Sequence, residues 1–213
     1  MKYNFEVKRG YIVYKDGADV VLFDSGCPIS FPQKSDPFRI FPKINKYVDA
    51  SVNWLRGIDS ISSQQLFIDY PQMELEYGKN MSLESPVAKY HLENINNGVF
   101  AISLKIDGQK RKMILDTGAA TSYLLESAVT QGAPAGKTED FYISENALFE
   151  TNLFIHSTEC GDDLPIDVKY GVPTPTIKKD IEDCHVDGII GYDWLRHFKV
   201  LLDVPNRSLT LGR

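Results

Sequence analysis

Two stretches of the chain repeat one alternation of apolar and polar positions. The first runs Tyr11-Ile-Val-Tyr, a polar turn at Lys15-Asp16-Gly17, then Val20-Val-Leu-Phe. The second runs Val99-Phe-Ala-Ile-Ser-Leu, a turn at Asp107-Gly108, then Met113-Ile-Leu. Short apolar runs rich in β-branched and aromatic residues, joined through glycine-containing turns, predict two β-hairpins. In each, the second strand ends in an acid, a small hydroxyl residue and a glycine: Asp24-Ser25-Gly26 and Asp116-Thr117-Gly118.

The correspondence extends further along the chain. Gly57-Ile58-Asp59, Leu66-Phe-Ile-Asp69-Tyr-Pro71 and Leu75 to Gly78 match Gly191-Tyr192-Asp193, Val200-Leu-Leu-Asp203-Val-Pro205 and Leu209 to Gly212, all in one unbroken register. A constant register of this kind is the signature of an internal repeat. It places a first copy at residues 1–78, a linker and the start of the second copy at 79–96, and the second copy proper at 97–213. Each copy reads as short strands with turn signals plus one helix after its late glycine. Those helices are expected at Ser60 to Gln65 and at Asp193 to Phe198, the latter with Trp194 and Leu195 facing inward. A weakly periodic stretch from Ile44 to Leu55 suggests one more. The expected class is all-β with a few short helices.

The copies differ in their middles. The stretch from Asp116 to the late Gly191 is more than double the length of that from Asp24 to Gly57, so the second copy carries an insertion. Inside that insertion, Phe141-Tyr-Ile-Ser, a turn at Glu145-Asn146, and Leu148 to His156 predict a hairpin. Residues 159–187, rich in Asp, Pro and Gly, read as a long loop, a feature that in compact domains is usually functional or mobile.

Composition narrows the function classes. With 43% hydrophobic residues, 11 Tyr and 11 Phe in 213 residues, the chain can bury a substantial core. A net charge of −6 and the lack of a basic cluster interleaved with aromatics argue against nucleic acid as a partner. No apolar run of about 7–15 residues follows a basic tip at the start, and none reaches spanning length, so neither a signal peptide nor a membrane partner is expected, and the expected location is cytoplasmic. Cys27, Cys160 and Cys184 are odd in number and lack CxxC spacing, which favours free thiols over a disulfide framework, although Cys160 and Cys184 could pair under oxidising conditions. Cys160, Asp162, Asp163, Cys184 and His185 fit no zinc spacing, so no metal and no cofactor is expected.

The two acid-hydroxyl-glycine triplets carry the chemistry. Two carboxyl groups about 3 Å apart cannot both ionise; they share one proton and serve at once as base and acid toward a water molecule. They titrate as a unit, so Asp24 and Asp116 take no separate resting roles. Gly26 and Gly118 allow a sharp turn that presents an N–H to the carboxylate, and the Ser25 and Thr117 hydroxyls can tie one loop to the other. Taken alone, either acid could instead be a turn residue capping a strand. Asp59 and Asp193 stand at helix starts, where capping is the simpler role, and Asp69 and Asp203 read as turn residues.

Met113-Ile-Leu-Asp-Thr-Gly-Ala-Ala-Thr-Ser resembles the active-site loop of the retroviral and pepsin-type aspartic proteases. His185-Val-Asp-Gly-Ile-Ile-Gly-Tyr-Asp-Trp-Leu resembles their second motif, and Asp24-Ser-Gly a second copy of the triplet. The resemblance implies two all-β acid-protease lobes related by a pseudo-twofold axis and flanking a cleft, with a shared sheet beneath. It further implies catalytic Asp24 and Asp116, loop support from Ser25, Gly26, Thr117, Gly118 and Ala119, and a peptide or protein substrate. Only the second copy has room for a flap, so a single flap is expected at roughly Thr138 to His156, with Phe141, Tyr142 and Ile143 toward substrate. Tyr142 could hydrogen-bond near the carboxyl pair, or simply pack.

Two departures from the family pattern stand out. Leu55-Arg56 replaces an apolar pair before Gly57, which leaves Arg56 to face cleft or solvent. Cys27 and Ala119 stand where a hydroxyl donor to the carboxylate is common, which predicts raised pKa values and activity from weakly acidic to near-neutral pH. Three readings stay open: an endopeptidase complete in one monomer, a weak or inactive relative that binds peptides by strand addition, and an enzyme active only as a homodimer of C-terminal lobes.

Overall fold

The computed structural model describes residues 1–95, 98–143, 145, 147–161 and 165–213. The chain begins with β1 (Lys2–Lys8), β2 (Tyr11–Asp16), β3 (Asp19–Phe23), β4 (Phe31–Pro32), helix α1 (Phe41–Val48), β5 (Trp54–Arg56), β6 (Gln65–Asp69) and β7 (Glu74–Gly78). It continues with β8 (Pro86–His91), β9 (Glu93–Asn94), β10 (Phe100–Ile106), β11 (Gln109–Leu115), β12 (Ser122–Leu124), α2 (Glu126–Val129), β13 (Ala133–Tyr142) and β14 (Ala147–Glu159). β15 (Pro165–Gly171), α3 (Pro175–Asp183), β16 (Gly188–Ile190), α4 (Tyr192–Leu195), β17 (Lys199–Asp203) and β18 (Ser208–Gly212) complete it. Strands dominate and the helices are short, as the class expected from sequence requires.

Both predicted hairpins form, β2 with β3 and β10 with β11. In the second, Asp107 and Gly108 both have positive φ, 49° and 73°, the primed-turn geometry that matches the strands' twist. The strands make two mixed sheets, ordered β4-β5-β3-β2-β1-β7-β6-β17-β18-β8 and β13-β14-β15-β12-β16-β11-β10-β9. The internal repeat becomes physical where β6 meets β17. Phe67 pairs directly with Leu201, its own counterpart in the repeat, flanked by Ile68 with Val200 and Leu66 with Leu202. An antiparallel pairing centred on repeat-equivalent residues puts a pseudo-twofold axis through that point. The largest core cluster draws on both copies, from Phe5 and Ile12 to Leu209 and Leu211.

Several expected boundaries are corrected. The helix expected at Ser60 to Gln65 is a 3-10 turn at Ile58–Ile61, and Gln65 already belongs to β6. Helix α1 starts earlier than the expected 44–55 stretch. Asp36 accepts hydrogen bonds from the Phe38 and Phe41 N–H groups at its start, and Phe41, Ile44, Tyr47 and Val48 form its buried face. The hairpin in the insertion begins at Ala133 rather than Phe141; Ser144 and Asn146, part of its predicted turn, lie outside the described residues. Residues 159–187 are not one long loop, because β15 and α3 occupy them. Ile166, Val168 and Tyr170 alternate with Asp167 and Lys169 along β15, and Thr174 caps α3 by accepting from the Ile177 N–H at 3.2 Å. Asp59 does not cap its own helical turn but accepts from the Ser30 N–H and hydroxyl. Asp193 makes no side-chain cap either, and lies 3.8 Å from Arg196. Asp69 and Asp203 hold turns, accepting from the Gln72 and Asn206 N–H groups.

Candidate active site

Asp24 and Asp116 sit at equivalent exits from their strands. β3 runs parallel to β5, and β11 runs parallel to β16. The first N–H beyond each strand crosses to its neighbour, Asp24 N to Arg56 O at 2.9 Å and Asp116 N to Ile190 O at 3.0 Å. Each loop then folds back on the late glycine. Ile58 N donates to Cys27 O and Tyr192 N to Ala119 O, both at 2.9 Å. A Cβ at Gly57 or Gly191 would collide with those carbonyls, which is why glycine stands at both places. Ser30 and Ser122, each at the same offset beyond its aspartate, accept the Gly57 and Gly191 N–H groups at 3.0 Å. The sequence reading missed both serines, although their common offset from the two acids was a usable signal.

The loops brace each other across the axis. Ser25 N donates to Thr117 Oγ1 and Thr117 N donates to Ser25 Oγ, both at 2.9 Å, and Ser25 Oγ donates to Leu115 O at 3.1 Å. All of this is buried, with Ser25 and Thr117 each 1% exposed. Gly26 N donates to Asp24 Oδ1 and Gly118 N to Asp116 Oδ1, both at 2.8 Å. A side chain on Gly26 would run into the Asp116 carboxyl, and one on Gly118 into the Asp24 carboxyl. Each glycine therefore makes room for the opposite acid.

The two carboxyl groups are close enough to interact directly, and buried acids at such range disfavour double ionisation. Burial pushes both upward from the ordinary carboxylate range. Asp116 is raised further, by its interaction with Asp24. Asp24 also accepts from the Cys27 N–H at 3.1 Å, a donor not foreseen in sequence, whereas the Ala119 N–H turns to the Asp116 carbonyl. The pair thus holds its last proton well beyond the usual range. The Cys27 thiol donates to Ile29 O at 3.3 Å, and burial together with the Asp24 charge lifts it to about 12, so it stays protonated.

Arg56, partly exposed, is turned away from Asp24 and Asp116. It pairs with Asp16, donates to the Tyr14 hydroxyl at 3.0 Å and lies over the Tyr14 and Tyr77 rings. Tyr14 and Tyr77 share a hydrogen bond at 2.8 Å, so a polar cluster replaces the apolar contact expected before Gly57.

The predicted flap residues lie where the two halves meet. Phe141 is 2% exposed and packs with Tyr11, Phe41 and Tyr47 of the first half, and its carbonyl accepts the Tyr11 hydroxyl at 2.7 Å. Ile143 joins the same cluster, while Tyr142 packs among Tyr123, Ile177 and Ile181 of the second half. Burial and the charges of Asp116, Asp180 and Asp24 raise the Tyr142 phenol. In this arrangement Asp24 is 4% and Asp116 7% exposed, and Tyr142 of the hairpin lies near both. Of the residues weighed for metal binding, Asp162 and Asp163 lie outside the described residues; Cys160 is buried beside Tyr90, and Cys184 ends α3. Among the described residues no helix is long and apolar enough to cross a membrane.

No family model matches the chain, and no curated protein matches it in sequence. Among solved structures, the crystal structure of basic 7S globulin from soybean is similar at 12% identity and a TM-score of 0.42. The likeness covers 76% of this chain and 57% of that one. At that level it carries no argument about activity.

Proposed function

We propose that the chain is an aspartic endopeptidase in which Asp24 and Asp116 activate a water molecule for attack on a peptide carbonyl. The supporting observation is the carboxyl pair itself: buried, facing each other, and held by two loops with equivalent hydrogen bonds. In this reading the ionised carboxylate takes a proton from water as its oxygen bonds to the carbonyl carbon, and the protonated partner gives its proton to the carbonyl oxygen. As the tetrahedral diol collapses and its C–N bond breaks, the protonated acid gives its proton to the departing amine nitrogen while a diol hydroxyl passes its proton to the ionised acid, so the pair is again singly protonated. The substrate is an extended peptide or protein segment, and no metal or cofactor takes part. Residues 1–78 and 97–213 act as two lobes of one monomer, with a cytoplasmic location the simplest assignment. Because Asp116 finds its partner in the same chain, a homodimer is not needed to build the pair. The Arg56 pairing with Asp16 leaves Asp24 free of a competing cation.

The singly protonated pair is the working form. With the last ionisation displaced upward, activity should peak at weakly acidic to near-neutral pH and fall on both sides. The test is incubation with a diverse peptide mixture from pH 4 to 8. Wild-type protein is expected to cleave, and Asp24→Asn and Asp116→Asn are each expected to lose at least ~10²-fold. Cleavage that survives either substitution would overturn the reading, and binding without cleavage at any pH would favour a peptide-binding role.

A further inference from the structure

A third carboxyl group lies buried near the pair. Asp140, in β13, is 2% exposed. Its Oδ2 accepts the Tyr123 hydroxyl at 2.5 Å, and its Oδ1 accepts the Phe141 N–H at 2.7 Å and the Tyr47 hydroxyl at 3.4 Å. Thr121 also lies beside this carboxyl and favours its ionised form. These partners come from different parts of the molecule: Tyr47 from α1 in the first half, Tyr123 from β12 in the second. The single Tyr47 hydroxyl hydrogen is shared between Asp140 Oδ1 and Glu139 O, the latter at 3.2 Å, and Tyr11 of β2 donates to the Phe141 carbonyl. Three phenols from three elements thus converge on residues 139–141 of the hairpin, whose next residue, Tyr142, lies near Asp24 and Asp116.

Arg9 stacks 4.9 Å from the Tyr47 ring centre and lies 3.6 Å from the exposed Glu139 carboxylate, and among the described residues no ion pair reaches Asp140. The titratable groups facing Asp140 are therefore Tyr11, Tyr47 and Tyr123, with Arg9 and Glu139 outside them. A carboxylate taken from water without a counter-ion is penalised unless its donors compensate. Here burial outweighs these donors, and the Asp140 carboxyl is raised from its ordinary value.

We propose that Asp140 is the latch of the β13–β14 hairpin, and that its clasp between Tyr47 and Tyr123 couples closure over Asp24 and Asp116 to protonation, holding the hairpin down in acid and releasing it as pH rises. The sign follows from linkage. Closed, the carboxyl binds its proton more tightly than it does in the solvated, open hairpin, so closure takes up a proton and opening releases one. The opening equilibrium then rises by up to tenfold per pH unit between the open and closed pKa values. This regulation rests on the catalytic reading only in taking the buried pair to be the working site.

The test follows hairpin position in the full chain carrying Asp24→Asn and Asp116→Asn, so that neither catalysis nor titration of the pair contributes. With the native cysteines replaced by alanine, spin labels at Leu148→Cys on the hairpin and Lys34→Cys on the first half report their separation from pH 4 to 8. The long-distance population is expected to grow several-fold as pH rises, and to become independent of pH when Asp140→Asn is added. Tyr123→Phe removes a donor to the ionised form, so it should extend the rise to higher pH; it also serves as the probe if Asp140→Asn fails to fold. An unchanged pH profile in both variants, or a separation that never responds to pH, would overturn the latch. Because the labelled chain lacks both catalytic candidates, that failure would leave the endopeptidase reading standing, and failure of peptide cleavage would leave the latch testable.

Discussion

Ser25 and Thr117 occupy equivalent places and do equivalent work: each hydroxyl accepts the other loop's N–H in a setting closed to water. Ser25→Ala would orphan the Thr117 N–H, and a buried donor left unsatisfied costs about 1–3 kcal/mol. Ser25→Thr keeps the hydroxyl and reproduces what the other loop already carries, so it should fall well short of that cost. Urea denaturation of the two variants separates the cases; equal losses would mean that the cross-brace contributes nothing specific. Residues of this kind were legible in sequence, because a triplet that occurs twice announces its own symmetry. The donor from Cys27 N to Asp24 was not, because a backbone N–H leaves no trace in residue identity. Nor was Asp140, one of two adjacent acids, whose importance comes from the phenols of Tyr47 and Tyr123, which lie in other elements.

At the scale of elements, β3 and β5 show what a departure from the repeat costs and how it is met. Arg56 stands where the second copy has Ile190, and β2 and β7 answer with Asp16, Tyr14 and Tyr77. Arg56→Ala removes a charged donor from a partly exposed cluster, for an expected loss of about 1–2 kcal/mol that shrinks in high salt. A salt-independent loss would point to packing of the side-chain stem over the rings instead. The same scale explains the misjudged insertion. The first part of β13 was hidden by Pro134 and Gly136, which read as turn residues but lie at a register shift against β14, with Gly136 at φ 91°. In β15 and α3 the usable signals were present, an alternating Ile-Asp-Val-Lys-Tyr run and a Thr-Pro helix start with Ile177 and Ile181 one turn apart. The Asp-, Pro- and Gly-rich composition of the segment masked that periodicity.

At the scale of the whole molecule, the two copies do not form separable bodies. β6 pairs with β17 across the pseudo-twofold axis, β7 and β18 flank them, and one core cluster runs from Phe5 to Leu211. The constant register of the repeat made this symmetry readable in the chain itself. Sheet sharing, however, is a long-range pairing that the resemblance implied and periodicity could not supply. Such a shared sheet predicts one cooperative unfolding transition, because loss of either copy strips a neighbour strand and core contacts from the other. The chain carries its own probes, since its two tryptophans fall one in each copy: Trp54 in β5, partly buried, and Trp194 in α4, fully buried. Trp194→Phe leaves fluorescence from the first copy alone, and Trp54→Phe from the second. Denaturant titrations of each variant, followed by both fluorescence and far-ultraviolet circular dichroism, should give a single midpoint per variant. Any offset between variants should appear equally in both signals, because a substitution shifts the whole equilibrium. A fluorescence midpoint that departs from the dichroism midpoint of the same variant would show one copy unfolding alone, which would make the central β6–β17 pairing too weak to hold the two aspartate loops in register.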